Sequence, residues 1–266
     1  MSHGIYLFCL TPTNPLLEIA GMGMDPACPL RAEPSVGVVA IVSEVSLEDF
    51  RGPESRERLA DLAWVAPRAL RHEEVILGIL RQAPVLPVRF GSVFSSSAAL
   101  ASVLERHRDA LTGFFQATAG QEEWTLKAYV DLPEARSRIQ AEHVAAAGEQ
   151  LARLTPGKRY FEEQKIKGLV EREMAFWLKG MTDDIARCCE GVCSASSVGR
   201  LLSQELTGRA DEMFFHAALL VRASAVESLQ RLVVEWNASH ASVGLHLEAS
   251  GPWPPYHFTP VLDTPE

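Results

Sequence analysis

The stretch Trp124-Thr125-Leu126-Lys127-Ala128-Tyr129-Val130 decides the fold of the second half of the chain. Every second residue in it, from Trp124 to Val130, is apolar, and the residues between them are polar or amphipathic. Side chains of a β-strand point alternately to its two faces, so this period of two indicates a strand with one buried face. We therefore predict a half-buried strand over residues 124–130.

The residues that follow this strand predict the remaining elements of one domain. Pro133 favours the start of a helix, and Thr155-Pro156-Gly157 interrupts the helical pattern before it resumes. The predicted elements are, in order, a helix at 134–153, a longer helix at 158–190, a β-hairpin of residues 195–206 and 212–222 around Thr207-Gly208, a helix at 225–238 and a strand at 243–247. Counted from Trp124, the order β-α-β-β-α-β is that of a ferredoxin-like fold.

The residues before Trp124 predict strands and helices whose topology the pattern does not fix. Apolar β-prone runs, bounded by prolines or polar residues, indicate strands, and longer runs with helical spacing indicate helices. The predicted elements are a strand at 4–10 ended by Pro12 and Pro15, a loop at 21–35, a strand at 36–42, a helix at 59–80 that Pro67 breaks or kinks, and a helix at 98–117 capped by one of Ser95, Ser96 and Ser97.

These patterns together predict an α+β protein of two domains. The turn Gly120-Gln121-Glu122 separates an N-terminal α+β domain, residues 1–120, from a modified ferredoxin-like domain, residues 121–250, that carries a long helical insertion. Residues 251–266 form a tail rich in proline and aromatic residues.

Composition restricts the classes of function. The chain of 266 residues has a formal net charge of -9, which argues against nucleic acid as a partner because phosphate contacts need a basic surface. No run approaches the length of a membrane span, and the N-terminus shows no secretory signal, so we expect no membrane partner. Five cysteines without a paired framework are typical of a reducing compartment. We expect a cytoplasmic protein.

A search for catalytic and ligand-binding motifs is largely negative. His72-Glu73-Glu74-Val75-Ile76 begins like a zinc-protease helix but has Ile76 where the second histidine belongs, so we interpret it as a solvated helix face. Cys188, Cys189 and Cys193 lack a fourth ligand nearby and are interpreted as buried small hydrophobic residues. We therefore predict no catalytic residue, no metal and no cofactor, and a protein that is not an enzyme.

The segment from Pro84 to Gly91 is a candidate structural or partner-contact motif. Pro84 and Pro87 fix φ and remove two backbone donors, so the segment is expected at a sheet edge, extended towards Arg89, Phe90 and Gly91. Arg89 has two interpretations. It is a buried structural guanidinium paired with carbonyl or carboxylate oxygens, or it is a contact for a partner protein.

The tail is the second candidate motif. Trp253, Pro254, Pro255 and Tyr256 follow Gly251-Pro252 and must form a stiff segment that is poor in backbone donors. Its aromatic side chains either fold back over the second domain as a clamp or stay exposed as a docking surface, since aromatic residues are enriched at interface hot spots.

Four segments together resemble the gas vesicle protein F/L family. They follow the family's order and extend over nearly the whole chain. They are Pro84–Phe94 with the preceding Arg71-His72-Glu73-Glu74-Val75, the strand opening Glu123-Trp124, the helix start Pro156–Phe161 with Tyr160 and then Lys165, and the ending Ser250–Phe258.

The resemblance implies an accessory, minor structural protein of gas vesicle assembly. It implies contact with the small hydrophobic shell protein, of GvpA type, whose aggregation would be limited during nucleation, and contact with other gas vesicle accessory proteins. It also implies an N-terminal α+β domain followed by a modified ferredoxin-like domain, and a location at the gas vesicle.

Two alternatives remain open at this point. A ferredoxin-like domain hosts many functions, so a ligand-binding regulator or an enzyme would show an apolar pocket, for example around Tyr160, Lys165 and His216. A general holdase would suppress aggregation of unrelated apolar proteins as well as the shell protein.

Overall fold

The structure is a computed structural model that describes residues 3–14, 16–51, 54–152 and 154–262. The chain forms two compact units, the first of residues 1–122 and 253–266 and the second of residues 123–252. Pro15, Arg153 and residues 263–266 of the predicted tail lie outside the described residues.

The described residues of the first unit form a five-stranded sheet and five α-helices. Its strands are β1 (His3–Pro12), β2 (Arg31–Ser35), β3 (Val38–Ser46), β4 (Leu86–Pro87) and β5 (Val93–Phe94). Their order is β2-β3-β1-β4, and β5 also pairs with β1. The helices are α1 (Leu47–Phe50), α2 (Ser55–Ala60), α3 (Leu62–Leu80), α4 (Ser97–Arg106) and α5 (Arg108–Thr118).

Strand β1 is central and is buried on both faces. Every residue from Gly4 to Thr11 is buried. Leu7 packs into one apolar cluster with residues of α4 and α5, and Phe8 packs into another with residues of α3. A bulge between Leu7 and Cys9 puts Phe8 and Cys9 into the same cluster, because the extra residue interrupts the strict alternation of faces.

Local signals set the helix boundaries in this unit. The Asp61 side chain accepts a hydrogen bond from the Ala63 amide at the start of α3, which continues through Pro67. The predicted serine cap is confirmed at Ser96, whose hydroxyl accepts from the Ala99 amide at 3.2 Å. The single helix predicted at 98–117 is wrong, since His107 divides it into α4 and α5.

The part of the second unit that the structure describes forms a four-stranded sheet and four α-helices. Its elements are β6 (Gln121–Val130), α6 (Leu132–Ala152), α7 (Pro156–Glu190), β7 (Cys193–Val198), α8 (Gln204–Thr207), β8 (Glu212–Arg222), α9 (Val226–His240) and β9 (Leu245–Trp253). The strand order is β7-β8-β6-β9. One apolar cluster takes alternate residues of β6, from Trp124 to Val130, together with α7 and α9. The α+β fold class predicted from the sequence is confirmed.

Two local predictions are wrong. The predicted hairpin is correct in that β7 pairs with β8 in antiparallel register, but its first strand ends at Val198. Residues 199–203 are irregular, and Gln204–Thr207 form the one-turn helix α8. Gly208 ends that helix with a φ of 67°, a conformation that glycine adopts without steric cost. The predicted loop at 21–35 contains β2, a polar edge strand whose Arg31–Ser35 pairs with β3.

Candidate functional site

The Pro84–Gly91 segment forms part of one edge of the first sheet. Pro87, in β4, lies opposite Cys9 of β1, and the Val88 amide donates to the Phe8 carbonyl at 3.2 Å. The chain then leaves the sheet and returns in β5 through Gly91, whose φ of 85° favours glycine. The segment is extended at a sheet edge, as its two prolines predict.

A buried hydrogen-bond chain holds this segment from beneath. The Gly91 amide donates to the Tyr6 hydroxyl at 3.1 Å, and that hydroxyl lies 2.9 Å from His72 Nδ1. His72 Nε2 lies 3.0 Å from the Val88 carbonyl oxygen, which can only accept, so Nε2 carries the proton and Tyr6 donates to Nδ1. Tyr6 and His72 thereby fix the backbone on both sides of Arg89.

His72 corrects the interpretation of its helix as a solvated face. The side chain is buried, and the polar network that satisfies it lies inside the first unit. Burial lowers the pKa of His72, against smaller opposing effects from its bond to Val88 and from the charge of Glu73. The ring is therefore held neutral, as its tautomer requires.

Arg89 is exposed, so the interpretation as a buried structural guanidinium is wrong. Its backbone carbonyl accepts from the Ser92 hydroxyl at 2.7 Å. Among the residues that the structure describes, none forms a hydrogen bond or an ion pair with its guanidinium. Phe90 is half-buried and packs against Tyr6 and His72. The Arg89 guanidinium, which has no partner among the described residues, therefore lies on a turn that is packed against aromatic rings.

Tyr256 anchors the tail to residues of the first unit. The Tyr256 hydroxyl donates to Glu73 Oε1 at 2.7 Å, and its ring packs with the α3 cluster. Burial, and then the bond to Glu73, raises the pKa of Tyr256. Pro254 and Pro255 are buried, and Trp253 is exposed. The proline-rich segment therefore holds Tyr256 against α3.

A cavity of about 480 Å³ lies where the two motifs meet. Pro87, Arg89 and Tyr256, which come from both predicted motifs, line it together. The other lining residues are Leu7, Leu86, Val88, Ser92, Phe94, Val103, Leu104, His257, Thr259, Pro260, Val261 and Leu262. Pro84, Phe90 and Gly91 lie in the same segment but do not line the cavity.

Tyr160 and Lys165 lie on α7 in the second unit and do not line this cavity. Lys165 Nζ forms an ion pair with Glu162 Oε1 at 2.6 Å on the helix surface. Tyr160 contacts Phe161 edge to face, with ring centroids 6.0 Å apart, and both rings are exposed. The third residue of the expected pocket, His216, is on β8 with Nδ1 2.7 Å from the Arg200 carbonyl.

Four large apolar side chains are exposed on α7, a surface that the sequence patterns did not reveal. The exposed fractions are 58% for Tyr160, 68% for Phe161, 43% for Leu169 and 80% for Phe176. We call these four residues the α7 stripe. Their spacing in the sequence is a signal that could have found three of them. Phe161, Leu169 and Phe176 recur about every two turns, on a different face of the helix from Ile166 and Val170.

Two of the quoted motifs meet in the second unit. A Cβ atom on Gly251 would lie 2.8 Å from the Trp124 ring, closer than real Cβ atoms approach, and 3.0 Å from the Glu123 carbonyl oxygen. Glycine is therefore required at position 251 for the backbone to pass the Glu123-Trp124 strand opening.

The cysteine cluster is only partly buried. Cys189 is buried, and burial raises its pKa to about 12, so it stays a thiol. Cys193 is half-buried, but Cys188 is exposed, so the expectation of three buried cysteines is wrong for Cys188. Within the described ranges, no group of three or more His, Cys, Asp or Glu side chains is arranged to hold a metal ion. None of the described helices combines the length and apolar character of a membrane span.

Comparison with known proteins gives matches over nearly the whole chain. The family model described as "Gas vesicle synthesis protein GvpL/GvpF" matches residues 4–260. Gas vesicle protein L of Streptomyces sp. (strain CB03234) is 27% identical over 243 residues, which cover 91% of this chain and 86% of that protein.

Two solved structures share the fold. The crystal structure of gas vesicle protein GvpF from Anabaena sp. PCC7120 superposes with a TM-score of 0.73 at 18% identity, covering 98% of this chain and 99% of that one. GvpF from Microcystis aeruginosa gives a TM-score of 0.65 at 15% identity, covering 97% and 99%.

Proposed function

The chain belongs to the gas vesicle synthesis protein GvpL/GvpF family, and from this premise we propose that it binds the small hydrophobic shell protein, of GvpA type, and limits its aggregation while the vesicle forms. In this proposal the protein is a non-enzymatic accessory component that acts in the cytoplasm at the growing vesicle.

The observation that carries the proposal is the α7 stripe. Soluble proteins expose single apolar residues routinely, but a row of large ones on one element is typical of an interaction surface. Phe161, Leu169 and Phe176 are separated by eight and seven residues, close to two turns of 3.6 residues each. The row from Phe161 to Phe176 is therefore about 22 Å long, at 1.5 Å per residue.

The opposite face of α7 explains why the stripe is left outside. Ile166, Val170 and Met174 are buried in the apolar core of the second unit, so this face of the helix packs within its own unit. The stripe is an additional apolar face that this packing does not require.

The residues around the stripe favour a protein partner. Lys165 pairs with Glu162, and Lys179 pairs with Asp183, so charged pairs surround the apolar row and form a polar rim. Aromatic residues such as Phe161 and Phe176 are enriched at the centres of interfaces. Covering them contributes about 25 cal/mol per Å² of apolar area, before the costs of association.

The test replaces three residues of the stripe, those of the row from Phe161 to Phe176, and is designed to leave the fold intact. We expect the triple variant Phe161→Ser, Leu169→Ser, Phe176→Ser to lose co-purification with the shell protein and to lose suppression of its light scattering. We expect cells that carry the variant gene to form fewer vesicles. Because these side chains are exposed, the thermal midpoint is expected to change little.

A matched control uses three exposed apolar residues of the same unit that lie outside the stripe. Val198, Leu206 and Val234 are exposed to similar or greater extents, and their triple serine variant should bind like the parent protein. Equal loss of binding in both triple variants, or unchanged binding in the stripe variant, contradicts the proposal. Suppression of scattering of unrelated apolar proteins would indicate a general holdase instead.

A further inference from the structure

We propose that the cavity beside Arg89 is a binding site for a single aliphatic chain that ends in a carboxylate, as in a free fatty acid. The site lies wholly in the first unit, and the proposal is independent of the shell-protein interaction, whose surface is the α7 stripe of the second unit.

The walls of the cavity supply the contacts for an aliphatic chain. Leu7 and Leu86 from the sheet, Val103 and Leu104 from α4, and Phe94 from β5 form its inner side. Its volume of about 480 Å³ falls in the range of about 300 to 1,000 Å³ that is usual for small-molecule sites. A flexible chain without polar atoms can follow such a wall without leaving a buried donor or acceptor unpaired.

Arg89 supplies the contact for the head group. Of the fifteen described lining residues, it alone has a permanent charge, and no described side chain pairs with its guanidinium. The Tyr256 hydroxyl, also in the lining, already donates to Glu73. A planar guanidinium matches a carboxylate with two parallel hydrogen bonds, so an anionic carboxylate head is the chemistry that this position recognises.

The sheet edge argues against an extended peptide as the occupant. A peptide that joined this edge would need backbone donors, but Pro84 and Pro87 have none. The Val88 amide is already bound to the Phe8 carbonyl. A peptide would therefore find no backbone donor at Pro87 or Val88, and an aliphatic chain needs none.

The first experiment titrates the full-length protein with sodium dodecanoate, below its micelle concentration and at fixed ionic strength, by isothermal titration calorimetry. We expect saturable binding of one dodecanoate per chain. Dodecan-1-ol, which has the same chain without the charge, should bind about tenfold to a hundredfold more weakly, the usual contribution of a charge-assisted hydrogen bond. From octanoate to dodecanoate, affinity should rise by about fourfold for each further methylene that is buried.

Two variants locate the site. Arg89→Gln should abolish the preference for dodecanoate over dodecanol, and Arg106→Gln, an exposed arginine of α4 outside the lining, should leave it unchanged. Val261→Asp places a carboxylate on an exposed lining residue and should also weaken dodecanoate binding through charge repulsion. Each variant is checked for an unchanged thermal midpoint before titration.

Four results would overturn the proposal, and the first three concern affinity. They are the absence of saturable dodecanoate binding, equal binding of dodecanoate and dodecanol by the parent protein, and the same affinity in Arg89→Gln as in the parent. Binding of several dodecanoate molecules without a first tight site would show surface adsorption and would overturn it as well. Loss of shell-protein binding in the stripe variant does not bear on any of these results.

Discussion

The two sheets of this protein differ in how they bury their central strands. In the first unit, consecutive residues of β1 enter two separate apolar clusters, with Leu7 on one side and Phe8 on the other. In the second unit, β6 gives alternate residues, such as Leu126, to one cluster, and Lys127 between them is half-buried. A continuous apolar run needs a partner on each face, and an alternating run needs only one.

In the second sheet, Tyr129 of β6 is buried but lies outside the apolar cluster, and it belongs to a polar cluster. The Arg209 guanidinium lies 4.2 Å from the centroid of the Tyr129 ring and donates to Glu248 Oε1 at 2.7 Å. The corresponding polar groups of the first unit, Tyr6 and His72, are enclosed between helix and sheet. Tyr6 is therefore held by the hydrogen bonds of its hydroxyl, and Tyr129, which is also buried, by the contact of its ring with the partly exposed Arg209.

The largest expected effect comes from alanine substitutions at neighbouring strand positions. In β1, Leu7→Ala should cost about 2–5 kcal/mol and Phe8→Ala about 3–5 kcal/mol of unfolding free energy, because each leaves a cavity in a packed cluster. In β6, Leu126→Ala should cost about 2–5 kcal/mol, but Lys127→Ala should stay within about 0.5 kcal/mol. Denaturant unfolding of the four variants measures these costs. A small loss of unfolding free energy at either Leu7 or Phe8 would contradict the conclusion that both faces of β1 are packed.

A smaller effect is expected from removing one hydroxyl in each unit. Tyr6→Phe leaves the Gly91 amide and His72 Nδ1 without their partner in a buried site, so it should cost about 1–3 kcal/mol. Tyr129→Phe keeps the ring on which Arg209 stacks and should cost less than about 0.5 kcal/mol. The same unfolding measurement separates them, and equal costs would show that enclosure of the network has no energetic consequence.

The smallest effect at neutral pH, and one that grows with acid, concerns His72. Burial lowers its pKa in the folded protein below the ordinary value of about 6.5, so below that pH the unfolded chain binds more protons. The contribution of neutral His72 to the free energy of unfolding is complete above about pH 6.5. It is lost as the pH falls towards the pKa of His72 in the folded protein, by at most about 1.4 kcal/mol per pH unit.

The measurement compares the parent protein with His72→Gln between about pH 7 and pH 5, above the range where most carboxylates titrate. Glutamine can accept from Tyr6 and donate to Val88, so it preserves the hydrogen bonds without the titration. The parent should lose more stability than the variant as pH falls. Parallel curves would mean that His72 takes up a proton without cost.

The regular elements were predictable because their signals are local. Alternation from Trp124 to Val130 and the proline at the start of a helix each depend on a few adjacent residues. The fold class and most long elements followed from such patterns. The prediction of a strand over 199–206 was wrong. The segment ends in the one-turn helix before Gly208, and one turn is too short to produce a helical pattern of apolar residues.

The site was less predictable because its partners are distant in sequence. His72 has ordinary helical neighbours, and its hydrogen-bond partner Tyr6 is 66 residues away. The partner of Tyr256, Glu73, is 183 residues away. Arg89 had two interpretations, a buried structural guanidinium or a partner contact, and the residue pattern did not decide between them. The two prolines place the segment along a sheet edge, where the guanidinium is exposed, which excludes the first. Only the proline signal was local, and only that part was predicted correctly.

Residues 253–262 belong to the first unit although the whole second unit precedes them in the chain. During translation, the first hundred or so residues therefore emerge from the ribosome without the segment that supplies Tyr256, and that tyrosine reaches Glu73 only after residues 123–252 have been made. Until the second unit has been synthesised, the part of α3 that Tyr256 contacts in the complete protein stays uncovered in the nascent first unit. Ribosome-bound chains halted before and after Tyr256 would differ in how fast a protease cuts that unit.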